Sequence, residues 1–434
     1  MSSHLSTHNH STMATTHAGS SAPPQIPGRQ IPNDIAHGLK QEVAEILDRD
    51  QNTRFPGAQP VSFAREHIGE LQRAEYFMCE KTDGIRCLLF LHWREGPNGI
   101  EPFTILIDRK NNYYEMTPPL RFPYYSHPER VDMFLYGTIL DGELVNDLYP
   151  EGRRLIFYVF DCLAVDNANM TARTLDKRLG YMQEKLFKPW AIQQKKLKQP
   201  PQSTPFLVKE KQAHSAYHAT HVFDNILPNL KHGNDGLIFT CKNTRYVFGT
   251  DKHILKWKPP HENTIDFKLR LGEFPTYDPE DGEDGWIPDY DAMPTRFQLL
   301  VNYGSNKYAP FEHDLSVTEA DWDMLKGLNE RLDGRIIECY RDTDGRWRFK
   351  KDDDGTPRWR DDKTEANHIS TVESVLDSIN DPVTEADLRN AEGTIREAVI
   401  RLRNEDAKKT EEERQREAQT AKKRKFSEAN GASG

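Results

Sequence analysis

The stretch Tyr76–Leu91, YFMCEKTDGIRCLLFL, divides into a strand, a short polar turn and a second strand. Phe77 and Met78 lead in, Leu88, Leu89, Phe90 and Leu91 lead out, and Lys81-Thr82-Asp83-Gly84-Ile85-Arg86 lies between the two apolar runs. Burial between strands favours the neutral form of an amine, and a neutral amine is a nucleophile where an ammonium is not. Gly84 supplies turn backbone without a Cβ, and Arg86 can fork onto phosphate or ribose oxygens. Taken alone, the hexapeptide also fits a hairpin whose Lys81 and Asp83 are solvated turn residues. The remaining chain has to decide between them.

More strands of the same kind follow. Phe103–Asp108 (FTILID) ends in Arg109-Lys110-Asn111-Asn112, and Met133–Leu140 runs into Asp141-Gly142-Glu143-Leu144-Val145. Leu155–Leu163 (LIFYVFDCL) is nearly continuously apolar, as a strand buried on both faces is. Asp235–Thr240 (DGLIFT) and Ile254–Trp257 (ILKW) complete the series. Helical spacing of Ile35, Leu39, Val43, Ile46 and Leu47 predicts an amphipathic helix over Asn33–Asp48, and Thr174–Lys188 is helical. Pro259-Pro260 breaks the pattern and marks a domain boundary. Beyond it, strands at Thr264–Leu271, Arg296–Tyr303, Gly334–Arg341 and Arg346–Phe349, interrupted by a helix at Thr318–Leu328, predict a small β-barrel. Ser370 and Glu373 have the spacing of a capping box, and Thr384–Arg403 forms a further amphipathic helix.

With 434 residues the chain holds two folded domains plus tails. A hydrophobic content of 36% and a mean hydropathy of −0.79 describe a soluble protein, and no apolar run reaches the roughly 18–20 residues of a membrane span. Residues 1–29 are Ser-, Thr-, His- and Pro-rich with little to bury, so a disordered tail without a signal-peptide core is expected. Cys79, Cys87, Cys162, Cys241 and Cys339 are scattered and odd in number, which reads as reduced thiols of an intracellular protein. A net charge of −10 argues against a general nucleic-acid coat but leaves room for a local basic cleft.

Each polar island sits at the end of an apolar strand, where a rigid sheet can aim side chains at one ligand. Lys81, Arg86, Arg109, Glu143, Asp235, Lys256 and Lys258 all do so. Lys256 and Lys258 flank Trp257, so strand alternation puts both cations on one face, suited to a phosphate. Glu143 and Asp235 supply the oxygen ligands of a hard divalent cation, and Phe160 offers a stacking face for a base. Any one of these has an ordinary explanation as a solvated turn or core residue; their joint occurrence does not.

In this order the motifs resemble the covalent nucleotidyltransferase superfamily of mRNA capping enzymes and ATP-dependent ligases, specifically the fungal GTP–RNA guanylyltransferases. KTDGIR (Lys81–Arg86), LIDRKN (Leu106–Asn111), DGELV (Asp141–Val145), YVFDCL (Tyr158–Leu163), DGLIFT (Asp235–Thr240) and LKWKPP (Leu255–Pro260) carry the resemblance. ENTIDFKL (Glu262–Leu269), the R-x-D-K-x-x-x-N pattern over Arg360–Asn367 and QPVSF (Gln59–Phe63) extend it. The resemblance implies an α+β fold: a nucleotidyltransferase domain of mixed antiparallel sheets and helices, of the ATP-grasp-like ligase and capping-enzyme type, plus a C-terminal OB-fold β-barrel.

It also implies roles. Lys81 would form the phosphoramidate to GMP, with GTP as substrate and Mg²⁺ or Mn²⁺ as the metal. Arg86, Arg109 and Glu143 would hold the ribose, Phe160 would stack on guanine, and Lys209 or Lys211, preferably Lys211, would read its O6. Asp235, with Glu143, would serve the metal, Lys256 and Lys258 the α-phosphate, and Asp266, Arg360 and Lys363 the β,γ-phosphates. Implied partners are the 5′ end of pre-mRNA, a separate RNA 5′-triphosphatase subunit and the phosphorylated tail of RNA polymerase II, in the nucleus and away from membranes. The triphosphatase step falls to a separate subunit because no cysteine here sits in a His-Cys-x5-Arg loop.

The domains expected are a tail at 1–29, the nucleotidyltransferase domain at 30–258 and the barrel at 259–384, with helix 370–380 able to pack back on the first domain. Residues 385–434 are expected as a helical, charged tail whose basic cluster 422–425 resembles a nuclear localisation signal. The competing readings are an ATP-dependent DNA ligase with the same lysine chemistry and a non-catalytic OB-fold RNA-binding scaffold.

Overall fold

Strand-forming sequence dominates the first 260 residues, and in the computed structural model it is divided between two sheets rather than one. The structure describes residues 24–97, 99–197, 204–278, 285–352 and 354–431. The strands that serve the site are, in chain order, β1 (Ala58–Ser62), β2 (Tyr76–Thr82), β3 (Ile85–Gly96), β4 (Gly99–Asp108), β5 (Thr138–Tyr149), β6 (Gly152–Val165), β7 (Leu207–Glu210), β8 (Asn234–Cys241) and β9 (Gly249–Trp257). The larger sheet runs β4–β3–β5–β6–β7, extended beyond β4 by Tyr113–Glu115 and Arg29–Gln30. The smaller runs His214–Ser215, β2, β8, β9, β1.

The apolar run after the first lysine motif is buried on both sides, which is why it shows no alternation. Cys87, Leu89 and Leu91 face a core with Met182 and Leu186, while Leu88 and Phe90 face the helix α1 (Asn33–Ile46) through Leu39 and Val43. The strand, turn and strand expected over Tyr76–Leu91 are present, and the alternative in which the two strands pair as a hairpin is not what forms. β2 pairs with β8 and β3 with β4 and β5, so the turn Asp83-Gly84 carries the chain from one sheet into the other. A Cβ on Gly84 would stand 2.5 Å from the carbonyl oxygen of Leu144 in β5, so the crossing admits only glycine.

Past Pro259-Pro260, β10 (Ile265–Leu271), β11 (Phe297–Asn302), β12 (Tyr308–Asp314), β13 (Ile336–Arg341) and β14 (Trp347–Phe349) form an antiparallel sheet ordered β12–β11–β10–β13–β14. Phe267, Leu299, Ile337 and Trp347 build its core with Trp322 and Leu325 of α2 (Glu319–Gly327). Helix α3 (Ile369–Asn380) adds Val372 and Val375 to that core. Its expected capping box at Ser370 is not used; the helix starts one residue earlier, and the His368 side chain caps the amide of Ser370.

Two segments depart from their expected status as tails. Residues 24–29 are held: Ile26 packs on the first core and Arg29–Gln30 pair with Tyr114 and Glu115, while 1–23 lie outside the described residues. In α4 (Glu385–Gly431), Leu388, Ala391, Ile395 and Val399 join the core beneath the smaller sheet, with Met78, Leu237 and Trp257. A helix with four apolar residues on one stripe buries that stripe wherever a sheet face is open. The first domain is therefore completed by residues after the barrel. The side chains of the basic cluster 422–425 lie outside the described residues.

Candidate active site

Strand pairing brings Lys81, on β2, beside Asp235, at the start of β8. The β2–β8 register slips between Asn234 and Leu237, and this bulge swings the Asp235 carboxylate toward the lysine. Gly236 within the bulge has φ +143°, and a Cβ there would overlap the Trp257 carbonyl. Lys81 Nζ donates to Asp235 Oδ1 at 2.6 Å, and Lys258 Nζ donates to Oδ2 at 2.8 Å. One carboxylate thus holds two lysine side chains.

The charges around it explain how the set is poised. Burial alone would raise the Asp235 carboxyl, but Lys258 and Lys81 outweigh it and hold it below the usual range. Burial likewise opposes the Lys258 ammonium, and Asp235 reverses the effect. Lys256 has no ion-pair partner among the described residues; burial first, then the like charges of Lys258 and Lys81, push it down to about 8. Lys81, Lys256 and Lys258 thus form one cluster around Asp235.

Toward the larger sheet, Lys211 is buried beside β2. It donates to Thr82 Oγ1 and lies 3.8 Å from Glu143 and 3.9 Å from Glu80. Burial opposes its charge, and the neighbouring Cys79, then Glu143, Glu80 and Asp235, raise it above the ordinary value. Lys209 turns away, donating to Tyr149 Oη at 3.0 Å with Asp147 at 3.5 Å. Of the two candidates, only Lys211 shares a site with Glu143 and Phe160, whose ring lies 5.9 Å from its ammonium. Burial raises the Glu143 carboxyl, opposed by Lys211 and Lys81 and reinforced by Asp235.

Arg86 differs from expectation. Its guanidinium forks onto Asp141, 2.9 and 2.6 Å away, and also donates to the carbonyl of Ala58 and, at 3.3 Å, to Tyr246 Oη. Asp141 is fully buried and also accepts from Tyr246 Oη at 2.7 Å. Four of the five guanidinium N–H groups are thereby engaged in joining β3, β5 and the start of β1, which leaves one Nη1 proton for a ligand. The same guanidinium is a cation 5.5 Å from the Phe160 ring. Arg109 is exposed after β4, has no ion-pair partner among the described residues, and lies within electrostatic reach of Arg86 and Glu143.

The barrel contributes the opposite wall. Asp266 on β10 accepts from Arg360 at 3.1 and 3.2 Å and from Lys363, and Arg360 also forks onto Asp362 at 3.0 Å. A cavity of about 180 Å³ lies between the domains, with Lys256 and Lys258 on one side and Asp266, Arg360 and Lys363 on the other. The charge on Lys363 reaches far enough to add to the depression of Lys256. Two groups of cations from different domains therefore face one space, an arrangement suited to a polyphosphate.

For a divalent cation, Glu143 and Asp235 are carboxylates within electrostatic reach of one another. Among the described residues no cluster of three or more His, Cys, Asp or Glu is found. Two carboxylates completed by substrate phosphates and waters are the donor set that Mg²⁺ takes, so the residues fit such an ion. Sequence reading missed Asp141, Thr82 and Tyr246. Tyr246 lies 105 positions from Asp141, and no local pattern distinguishes it.

Comparison with known proteins agrees with this geometry. Residues 22–260 match the family model described as mRNA capping enzyme, catalytic domain, and 262–389 match mRNA capping enzyme, C-terminal domain. The mRNA-capping enzyme subunit alpha of Neurospora crassa is 44% identical over 389 residues, covering 86% of this chain and 92% of that protein. That of Schizosaccharomyces pombe is 44% identical over 375 residues, covering 86% and 88%. A solved Chlorella virus DNA ligase–adenylate is 9% identical, covering 66% of this chain and 94% of that one, with a TM-score of 0.29.

Proposed function

This chain belongs to the mRNA capping enzyme family and is an mRNA guanylyltransferase, and we propose that it works through a covalent GMP adduct on Lys81. The reading is carried by one observation: Lys81 and Lys258 share the Asp235 carboxylate at 2.6 and 2.8 Å, in a cleft whose far wall is cationic. A nucleophilic amine needs a neighbour to hold its proton and cations to receive the leaving phosphates, and both are in place.

In the first half-reaction the neutral Lys81 amine attacks the α-phosphorus of GTP. The N–P bond forms, the α–β phosphoanhydride bond breaks, and pyrophosphate leaves with the proton that the nitrogen gives up. Asp235 holds the proton-bearing face of Lys81, and Lys256 and Lys258 take the charge on the α-phosphate. Arg360 and Lys363 face the β,γ-phosphates, with Asp266 orienting both. Phe160 stacks on guanine, and Lys211, held by Thr82, donates to its O6. Glu143 and Arg109 hold the ribose, and Arg86 acts as the brace that positions β3 against β5. Mg²⁺ or Mn²⁺ held by Glu143 and Asp235 would supply charge neutralisation at the phosphates. In the second half-reaction a terminal phosphate oxygen of a 5′-diphosphate RNA attacks the adduct, the N–P bond breaks, and Lys81 regains its proton.

Relatives named as an alpha subunit support a partner subunit. We assign that role to an RNA 5′-triphosphatase, place the work in the nucleus, and take the phosphorylated tail of RNA polymerase II as the recruiting partner. The test is incubation with α-labelled GTP or ATP and a divalent metal. A GMP adduct lost in Lys81→Ala is expected; an AMP adduct instead makes the protein a ligase, and no adduct with either makes it a scaffold.

A further inference from the structure

A second cavity near the cleft lies outside the machinery described so far. It has a volume of about 590 Å³ and is walled by His261 and Glu262 of the interdomain connector and by Tyr340, Arg348, Lys350 and Lys351 of the barrel. That volume is within the range, about 300–1,000 Å³, that holds a ligand of nucleotide size. The connector walls both spaces: His261 and Glu262 line this one, Asn263 and Thr264 the active-site cleft.

Strand alternation explains its chemistry. On β14, Trp347 and Phe349 point into the core, so Arg348 faces the other way, and Lys350 continues that row. Tyr340 on β13 pairs directly with Arg348, which puts an aromatic ring beside the row of cations. Each cation is held ready by a carboxylate: Arg348 by Asp342 at 2.7 Å, Lys351 by Asp321 at 2.8 Å, and Lys350 by Glu262. Pairs as exposed as Lys351, 52% accessible, are weak and exchange readily for a phosphate oxygen.

We propose that this groove binds the acceptor RNA just downstream of its 5′ end, with Arg348, Lys350 and Lys351 on backbone phosphates and Tyr340 stacking on a base. This rests on the guanylyltransferase reading, because an acceptor whose end reaches Lys81 must leave the cleft along one of its walls. An aromatic ring flanked by cations on a barrel sheet is the arrangement that single-stranded nucleic acid uses: stacking is tolerant of sequence, and the cations follow the backbone. An acidic phosphopeptide would use the cations and leave the ring idle.

The experiment compares the wild-type protein with Arg348→Ala/Lys351→Ala and with Lys351→Gln, at a half-exposed position where a neutral amide can still donate to Asp321. Acceptors are 5′-diphosphate RNAs of two nucleotides and of about ten, within the 4–16 that one OB fold spans. Adduct formation with GTP should be unchanged. KM for the longer acceptor should rise about tenfold, while the dinucleotide is used as before, and the salt dependence of RNA binding should shallow by about 0.7 per cation lost. A wild-type KM independent of acceptor length, or an unchanged length preference in both variants, overturns the proposal. Failure to form any adduct sinks the guanylyltransferase reading instead, and anisotropy of the labelled RNA on the same proteins still decides the groove. Loss of binding by an acidic phosphopeptide with RNA binding intact assigns the groove to that partner and overturns the RNA proposal.

Discussion

Trp257 donates its indole Nε1 proton to the carbonyl oxygen of Val383 at 2.8 Å. The chain enters the barrel just after Trp257 and returns from it just before α4, so this bond fastens the two connectors side by side. Trp257→Phe keeps a ring against Phe223 but leaves that buried carbonyl without its donor. A loss of about 1–2 kcal/mol is expected, read as a lower urea midpoint with an unchanged slope.

Arg360 and Lys363 face Lys256 and Lys258 across the cleft, and in the proposed mechanism their cations would serve a triphosphate rather than a bound GMP. Arg360→Ala should slow adduct formation by at least about tenfold while leaving GMP transfer from preformed adduct nearly unchanged. Single-turnover rates of the two steps decide it; equal losses remove the barrel cations from the first half-reaction.

Lys256 is pushed down to about 8, so its ammonium is present below pH 8 and lost above it. KM for GTP should therefore rise between pH 7 and 9, and Lys256→Arg, which stays charged, should flatten that rise. Stability moves the other way. The unfolded lysine titrates near 10.4, so between about pH 8 and 10.4 the unfolded chain holds the extra proton and this group's contribution increases with pH. Measuring both quantities on the same samples separates the effects.

Arg86→Lys tests whether that residue is a brace. A lysine cannot make the two-point contact with the fully buried Asp141 and also reach Ala58. A destabilisation of about 3 kcal/mol is expected, visible as a drop in Tm. A variant with wild-type Tm and impaired GTP binding would return Arg86 to the ribose.

Truncation separates the two halves of α4. Ending the chain after residue 384 removes Leu388, Ile395 and Val399 from the core of the smaller sheet, and the protein should fail to fold cooperatively. Ending it after Arg403, which still pairs with Glu75, should leave Tm unchanged within about 1 °C.

Much of the candidate site was legible because its parts sit at strand ends, where an apolar run gives way abruptly to a charge. Lys81, Glu143, Asp235, Lys256 and Lys258 were found in this way, and the structure brings all five together. Arg86 was found for the same reason, but its contacts with Asp141, Ala58 and Tyr246 were not legible, because these come from three distant segments. The amphipathic stripe of α4 was visible, but a stripe states that a face is buried and not which sheet buries it.

Local chemistry along the chain determined which residues are strands, where the lysine sits and that a second domain begins after two prolines. Only the tertiary structure decided that the strands before and after Gly84 belong to different sheets, and that two lysines share one carboxylate. Hydrophobic pattern and turn propensity act over a few residues, whereas strand partners and ion pairs are chosen by packing among segments far apart in the chain, as with Lys81 and Asp235, 154 positions apart.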